Sequence, residues 1–292
     1  MQQSLSLWIK GARPRTLPAA IAPVLVGTSC ARLDHAESAM FINSFLALIV
    51  SLALQVAVNY ANDYSDGVRG TDQQRVGPLR LVGSGAKSAA AVKRAAFLCF
   101  GVAAIFGLVL AVTTSWWLIA VGLACFAAGW FYTGGSKPYG YFGFGELFVF
   151  IFFGVVATTG TTFVVIQKVN RESFIASITV GCLACALLVI NNLRDIPGDT
   201  IAGKKTLAVR LGDRRTRQIY LALLVVSAIA IVVLSLDNPF ASLGLIGLLA
   251  AIPAIRQVTQ GAAGKDLIAV LGTTGRTQML TALTLSIGIL LA

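Results

Sequence analysis

The sequence predicts an all-α polytopic membrane protein of about nine transmembrane helices, and three observations carry that prediction. Of the 292 residues, 57% are hydrophobic and only 12% are charged, well under the roughly 25% charged of soluble domains. Apolar stretches of about 17 to 25 residues recur from one end of the chain to the other, long enough as helices to cross a hydrocarbon core of roughly 30 Å. Strand-like alternation is absent, which argues against a β-barrel.

The elements follow in order. The opening MQQSLSLWIKGARPRTLPAA has neither the short apolar core nor the small-residue cleavage site of a signal peptide. It reads as an interfacial lead-in, anchored by Trp8, to a first span at 17–32. The second span, 39–61, ends in VNYANDYSD. Spans at 92–113 and 115–132 come next, and the latter runs into YTGGSKPYGYFGFGE, where Gly and Pro break the helix and Lys137 stands among Tyr132, Tyr139 and Tyr141. Glu146 opens the span 145–167, where a carboxylate suits the positive end of a helix as well as it suits a site. Thr158, Thr159, Thr161 and Thr162 in that span read as helix-contact residues. The span 172–192 holds Cys182 and Cys185 among Leu and Ala and ends in NNLRDIPGD. Spans at 217–236, 239–256 and 277–292 complete the set.

The five cysteines lie in or beside apolar runs, and their odd number gives no disulfide framework. The C-x-x-C of Cys182 and Cys185 reads as two small buried hydrophobes. The single histidine, His35, falls in a short loop away from the acids, which removes histidine base catalysis and histidine-rich metal sites.

Threading these spans from the N-terminus puts twenty Lys and Arg residues on one side and only Arg32, Lys168 and Arg171 on the other. By the positive-inside rule the N-terminus and the long connections, 62–91, 193–216 and 257–276, are cytoplasmic. The net charge of +11 is explained by this topology and by anionic lipid rather than by nucleic acid, which is not expected as a partner.

Two acidic clusters end long apolar runs: Asn59, Asn62, Asp63 and Asp66, then Asn191, Asn192, Asp195 and Asp199. Carboxylates beside hydrocarbon are costly and are usually kept for a function. Asn59/Asp63 and Asn191/Asp195 share the spacing N-x-x-x-D, 132 residues apart, which predicts one domain over 1–292 built from two related halves, with acidic motifs near 59–72 and 191–199. On a helix these positions share one face, provided that Pro197 does not kink the second one or end it near Ile196. Mg²⁺ fits such a set, because it is held by one or two carboxylates together with water and substrate phosphates. With metal present, the nearby Lys137, Lys204, Lys205, Arg75 and Arg80 make the site attractive to a phosphorylated lipid. The alternative is that the acids merely pair with neighbouring Arg and Lys.

These motifs, with WIKGARPRTLPAA, NYANDYSDGVRGTD continuing into RVGPLRLVGSG, YTGGSKPYGYFGFGE and NNLRDIPGDTIAGKKTLAVRLG, span nearly the whole chain. In them the chain resembles the UbiA-type intramembrane prenyltransferases, and within them the branch that prenylates 1,4-dihydroxy-2-naphthoate in menaquinone synthesis. The superfamily's first motif is N-D-x-x-D-x-x-x-D. Here Asn62, Asp63 and Asp66 are followed by Asp72 at a longer interval, which fits the naphthoate branch and leaves Asp72 outside the firm ligand set.

The resemblance implies that Asp63, Asp66, Asp195 and Asp199 bind a polyprenyl diphosphate through Mg²⁺, supported by Asn59, Asn62 and Asn191. It also implies that Lys137 and Lys205 contact phosphate oxygens and that Arg13 meets the aromatic acceptor. Arg75, Arg80, Tyr132 and Tyr139 join the expected substrate-binding set. The implied reaction is alkylation of dihydroxynaphthoate with loss of CO₂, at a site facing the cytoplasm from the cell membrane. The competing readings are a sister enzyme using 4-hydroxybenzoate or homogentisate, and a secondary transporter, since two related halves with polar residues in the membrane also describe transporters.

Overall fold

The computed structural model describes residues 2–32, 39–71, 77 and 79–291. Among them every regular element is helical. In chain order these are α1 (Gln2–Ala12), α2 (Pro18–Arg32), α3 (Ala39–Arg69), α4 (Ala89–Thr113), α5 (Leu118–Phe131), α6 (Gly145–Ile166), α7 (Arg171–Ile201), α8 (Leu207–Asp237), α9 (Pro239–Thr259) and α10 (Asp266–Leu290). Each of the nine apolar stretches coincides with helix over most of its length. Six of the described helices, α3, α4, α6, α7, α8 and α9, are long and apolar enough to cross a bilayer. The 15 residues of α2 and the 14 of α5 are short for a full crossing.

The helices run further than hydropathy alone indicates. Helix α3 carries its acidic stripe to Arg69, and α7 passes through Pro197 to Ile201. Pro197 thus does not end the helix near Ile196. Proline deprives a helix of only one donor, and the backbone beyond it stays bonded, with Ala202 N–H donating to the carbonyl of Gly198. The expected loops at 62–91, 193–216 and 257–276 shrink accordingly, because α8 opens at Leu207, capped by the Thr206 hydroxyl, and α10 opens at Asp266. Charged and polar residues lowered hydropathy in these turns without breaking the helix.

Helix α7 is the spine of the bundle. Its small and branched residues are buried on most sides, Leu183, Leu187, Ile190 and Leu193 packing with Tyr220 and Leu224 of α8, Ala254 and Val258 of α9 and Val270 and Leu271 of α10. On another side Gly154 lets α6 approach Gly181 so closely that a Cβ on Gly154 would lie 2.5 Å from the Gly181 Cα. At this contact α6 widens into a π-helical stretch over Phe150–Val156, a local change often found at functional sites. Helix α1 folds back on α3, where Tyr60 donates to the carbonyl of Trp8 at 2.8 Å and their rings meet edge to face.

Candidate active site

One cavity of about 860 Å³ joins the two acidic helix ends. Its polar end is lined by Asn59, Asn62 and Asp66 of α3, by Asn191, Asn192, Arg194, Asp195 and Asp199 of α7, and by Arg13, Arg80, Tyr141 and Lys204 from the connecting segments. The remaining walls are largely apolar, Val58, Gly107, Leu123, Phe126, Phe148, Phe152 and Val164 among others, with Ser51, Gln55 and Thr161 between them. Leu108, Ile119 and Leu123 both line the cavity and stand exposed, so its apolar end reaches the membrane-facing surface between α4 and α5.

The two halves meet at Lys204. Its ammonium donates to Asp66 Oδ1 at 3.1 Å and lies 3.9 Å from Asp199 Oδ1. Gly203, at φ 72°, makes the turn that brings Lys204 inward, a backbone shape that glycine adopts without strain. Lys204 also lies 4.6 Å from the centre of the Tyr141 ring, and the Tyr141 hydroxyl donates to Asp66 Oδ1 at 2.5 Å. Burial, and after it the Asp66 carboxylate, raise the Tyr141 pKa above its ordinary value near 10, so the phenol stays a proton donor at neutral pH. Arg69 braces the same loop by donating to the carbonyls of Thr133 and Gly135.

Asp195 receives a two-pronged bond from Arg194, Nε to Oδ1 at 2.7 Å and Nη2 to Oδ2 at 2.8 Å, while the remaining Nη1 of Arg194 is buried without a hydrogen-bond partner. Arg80 Nη2 stands 3.8 Å from Asp66 Oδ2. Three carboxylates, Asp66, Asp195 and Asp199, thus face three cations, Arg80, Arg194 and Lys204, which offsets the cost of holding either sign beside hydrocarbon. Ion pairing with basic neighbours and a shared cavity, posed as alternatives, occur together.

Asp63 departs from the expected cavity-facing position. It is fully buried and outside the cavity lining. Its Oδ2 accepts from the Leu81 N–H at 2.8 Å and its Oδ1 from the Val82 N–H at 2.9 Å. The carboxylate therefore clamps the segment that presents Arg80. Lys137 and Lys205 are not brought to the cavity: both side chains are exposed and neither lines it. Lys205 instead ties the two loops together through its backbone N–H, bonded to the Tyr141 carbonyl at 2.9 Å. Asp72, Arg75 and His35 lie outside the described residues.

The other expected residues are brought together. Asn59 donates to the Ala12 carbonyl at 2.9 Å and to the Thr16 hydroxyl at 3.1 Å, and Arg13 Nη2 reaches the Asn59 carbonyl at 3.4 Å. Asn62 accepts from the Thr133 hydroxyl at 2.7 Å. Tyr132 and Tyr139 meet edge to face, and Tyr139 stacks on Phe148, carrying the polar end into the apolar walls. Asn191 lines the cavity one turn before Asp195. Glu146 accepts from Asn192 at 2.8 Å, so it supports the site helix from α6. Residues missed at first are Arg194 and Tyr141. Arg194 was legible, since it lies three residues after Asn191 on the same helical face; Tyr141 had no periodic signal.

An all-helical membrane bundle with a balanced set of acids and bases at one end of an apolar chamber is the build of an enzyme acting on a charged lipid. Comparison with known proteins agrees. The chain belongs to the UbiA prenyltransferase family, whose model matches residues 20–289. It is 51% identical to the 1,4-dihydroxy-2-naphthoate octaprenyltransferase of Mycobacterium tuberculosis over 96% of this chain and 95% of that one. It is 36% identical to the Escherichia coli protein of the same name, over 86% and 83%. Among solved structures, a UbiA homologue from Aeropyrum pernix superposes with a TM-score of 0.69 at 14% identity, covering 94% and 96%. One from Archaeoglobus fulgidus, bound to DMAPP and Mg²⁺, gives 0.61 at 13% identity, covering 98% and 99%. The last two establish the shared fold.

Proposed function

We propose that this prenyltransferase moves a polyprenyl group from polyprenyl diphosphate to 1,4-dihydroxy-2-naphthoate with loss of CO₂, giving demethylmenaquinone in a Mg²⁺-dependent reaction. One observation carries the reading: acids and bases from both halves converge at the polar end of a single cavity whose remaining walls are largely apolar. The naphthoate acceptor is supported by the names of the M. tuberculosis and E. coli relatives.

The donor set suits Mg²⁺. Asp66 and Asp199 both lie within reach of one positive centre, the Lys204 ammonium, and hard carboxylate oxygens are what this ion prefers. Mg²⁺ needs only one or two carboxylates from the protein, because it takes water and substrate phosphate oxygens as its other ligands. We assign Asp66, Asp195 and Asp199 to hold it, with Asp63 positioning the wall behind them. Bound there, the ion would supply charge neutralisation for the departing diphosphate.

The chain's own groups do the rest. Lys204, Arg80 and Arg194 donate to phosphate oxygens as negative charge grows on the leaving group. The C–O bond to diphosphate breaks with its electron pair leaving on oxygen, and Phe126, Phe148 and Phe152 offer π faces and a dry chamber to the allylic cation. The electron-rich ring carbon bearing the carboxylate forms the new C–C bond, and departure of CO₂ returns its electron pair to the ring. Arg13, which lines the cavity beside Asn59, would meet the acceptor carboxylate.

The two-halves reading is supported by a positional match. Asn59 and Asn191 are each the twenty-first residue of a 31-residue helix, and Asp63 and Asp195 each the twenty-fifth. The basic excess beside the acidic helix ends supports a cytoplasmic N-terminus and active site. To test the reaction, purified protein is incubated with dihydroxynaphthoate, a polyprenyl diphosphate and Mg²⁺. A prenylated, decarboxylated product that disappears with chelator is expected; faster turnover of 4-hydroxybenzoate or homogentisate would reassign the acceptor, and substrate flux without diphosphate release would favour a transporter.

A further inference from the structure

A second groove, of about 710 Å³, lies against the first half of α10. Ile268, Gly272 and Met279 form its floor, and Arg15, Lys265 and Arg276 stand around it, all exposed. None of these three cations has a carboxylate within ion-pair distance among the described residues. Arg276 lies ten residues past Asp266, roughly 15 Å along the helix. Its Nε approaches the Gly272 carbonyl at 3.5 Å, folding the guanidinium back one turn toward the start of α10, as long cationic side chains do when they reach for a membrane interface. A Cβ at Gly272 would meet no neighbouring atom within 4 Å, so the groove is open above it. The groove adjoins the main cavity: Arg13 and Thr16 line the cavity while Arg15 and Pro18 line the groove, and Gly264 and Leu267 line one while Lys265 and Ile268 line the other.

We propose that this groove binds an anionic phospholipid, with its headgroup phosphate among Arg15, Lys265 and Arg276 and an acyl chain along Ile268, Gly272 and Met279. A soluble anion would use only the cations, and a neutral lipid only the apolar floor; an acidic phospholipid matches both. The site is separate from the one that handles the diphosphate, so it stands or falls independently of the reaction assigned there.

The test uses the full-length protein in detergent, exposed to equimolar phosphatidylglycerol and phosphatidylcholine and read by native mass spectrometry, with a parallel arm containing inorganic phosphate. Each basic residue near an anionic lipid surface contributes roughly fivefold in affinity, so retention of phosphatidylglycerol over phosphatidylcholine by at least about tenfold is expected, undisturbed by phosphate. The double variant Arg15→Gln, Arg276→Gln should reduce the preference to about fivefold, the share left to Lys265. Gly272→Leu, which fills the floor and leaves every charge in place, should lower retention of both lipids. Equal retention of the two lipids by the unaltered protein, displacement by inorganic phosphate, a preference undiminished in folded samples of the double variant, or retention undiminished in folded Gly272→Leu would overturn the proposal.

Discussion

The acidic ends of α3 and α7 look alike in sequence and occupy equivalent turns of equally long helices, yet they put their carboxylates to different uses. In α7 both acids line the cavity, Asp195 held by Arg194 and Asp199 near Lys204. In α3 only Asp66 does so, while Asp63 gives both oxygens to the backbone of the segment at Leu81 and Val82. A shared spacing therefore fixes where a residue emerges along a helix but not what lies opposite it. Asp195 lines the cavity beside Arg194; opposite Asp63 is a loop with N–H groups to satisfy, and a buried carboxylate is a strong acceptor for them.

The comparison can be broken by isosteric substitutions. The largest effect is expected for Asp66→Asn and Asp195→Asn, each lowering kcat/KM by about 10²-fold to 10³-fold, the scale of losing one group that stabilises transition-state charge, when measured on folded protein well below the unfolding temperature, which the loss of a carboxylate beside buried Arg80, Lys204 or Arg194 also lowers. Asp63→Asn should behave differently. It turns an amide N–H₂ toward a backbone N–H that had an acceptor, and it should destabilise the fold by about 1 to 3 kcal/mol, seen as a lower unfolding temperature in a thermal melt. If Asp63→Asn instead lost activity at unchanged stability, the two helix ends would be equivalent after all.

The comparison of Lys204 with Lys205 sharpens the assignment at smaller scale. Lys204→Gln should raise KM for the prenyl diphosphate by about tenfold to 10²-fold, since a hydrogen bond to a charged group is worth roughly 1.5 to 3 kcal/mol. Lys205→Gln should change it by less than about twofold, as expected of an exposed charge. Equal effects in steady-state kinetics would remove Lys204 from the site. The smallest effect concerns Tyr141. Its pKa is raised in the folded protein, so the unfolded chain releases this proton first, near pH 10, and stability that is full below that pH is lost as pH rises through the folded value. Tyr141→Phe should make the alkaline loss of stability shallower in melts between about pH 9 and 11, with only a few-fold change in rate at neutral pH.

Much of this was legible beforehand. Composition and run length fixed the class of fold, and the paired N-x-x-x-D motifs located both helix ends of the site. The errors came from segments without a period. Lys204 and Lys205 are adjacent, and only the turn at Gly203 decides which of them enters the cavity. Lys137 stands among tyrosines in sequence, but Tyr139 and Tyr141 point inward while it points out. Hydropathy ended α7 early because Arg194, Asp195 and Asp199 resemble a loop when averaged, whereas their i, i+1 and i+5 placement keeps them on or beside the helical face carrying Asn191.

The placement of Lys204 has a consequence for the order in which the protein is made. The partners of Asp66 are spread along the chain, Arg80 following it closely, Tyr141 75 residues on and Lys204 138 residues on. Chains emerge N-terminal end first, so the first half must enter the bilayer with its acid incompletely matched. Lys204 is the late fastener: until it is synthesised, the two halves lack the ion pairs that run from Asp66 to Asp199, and the nascent protein has walls but no finished chamber.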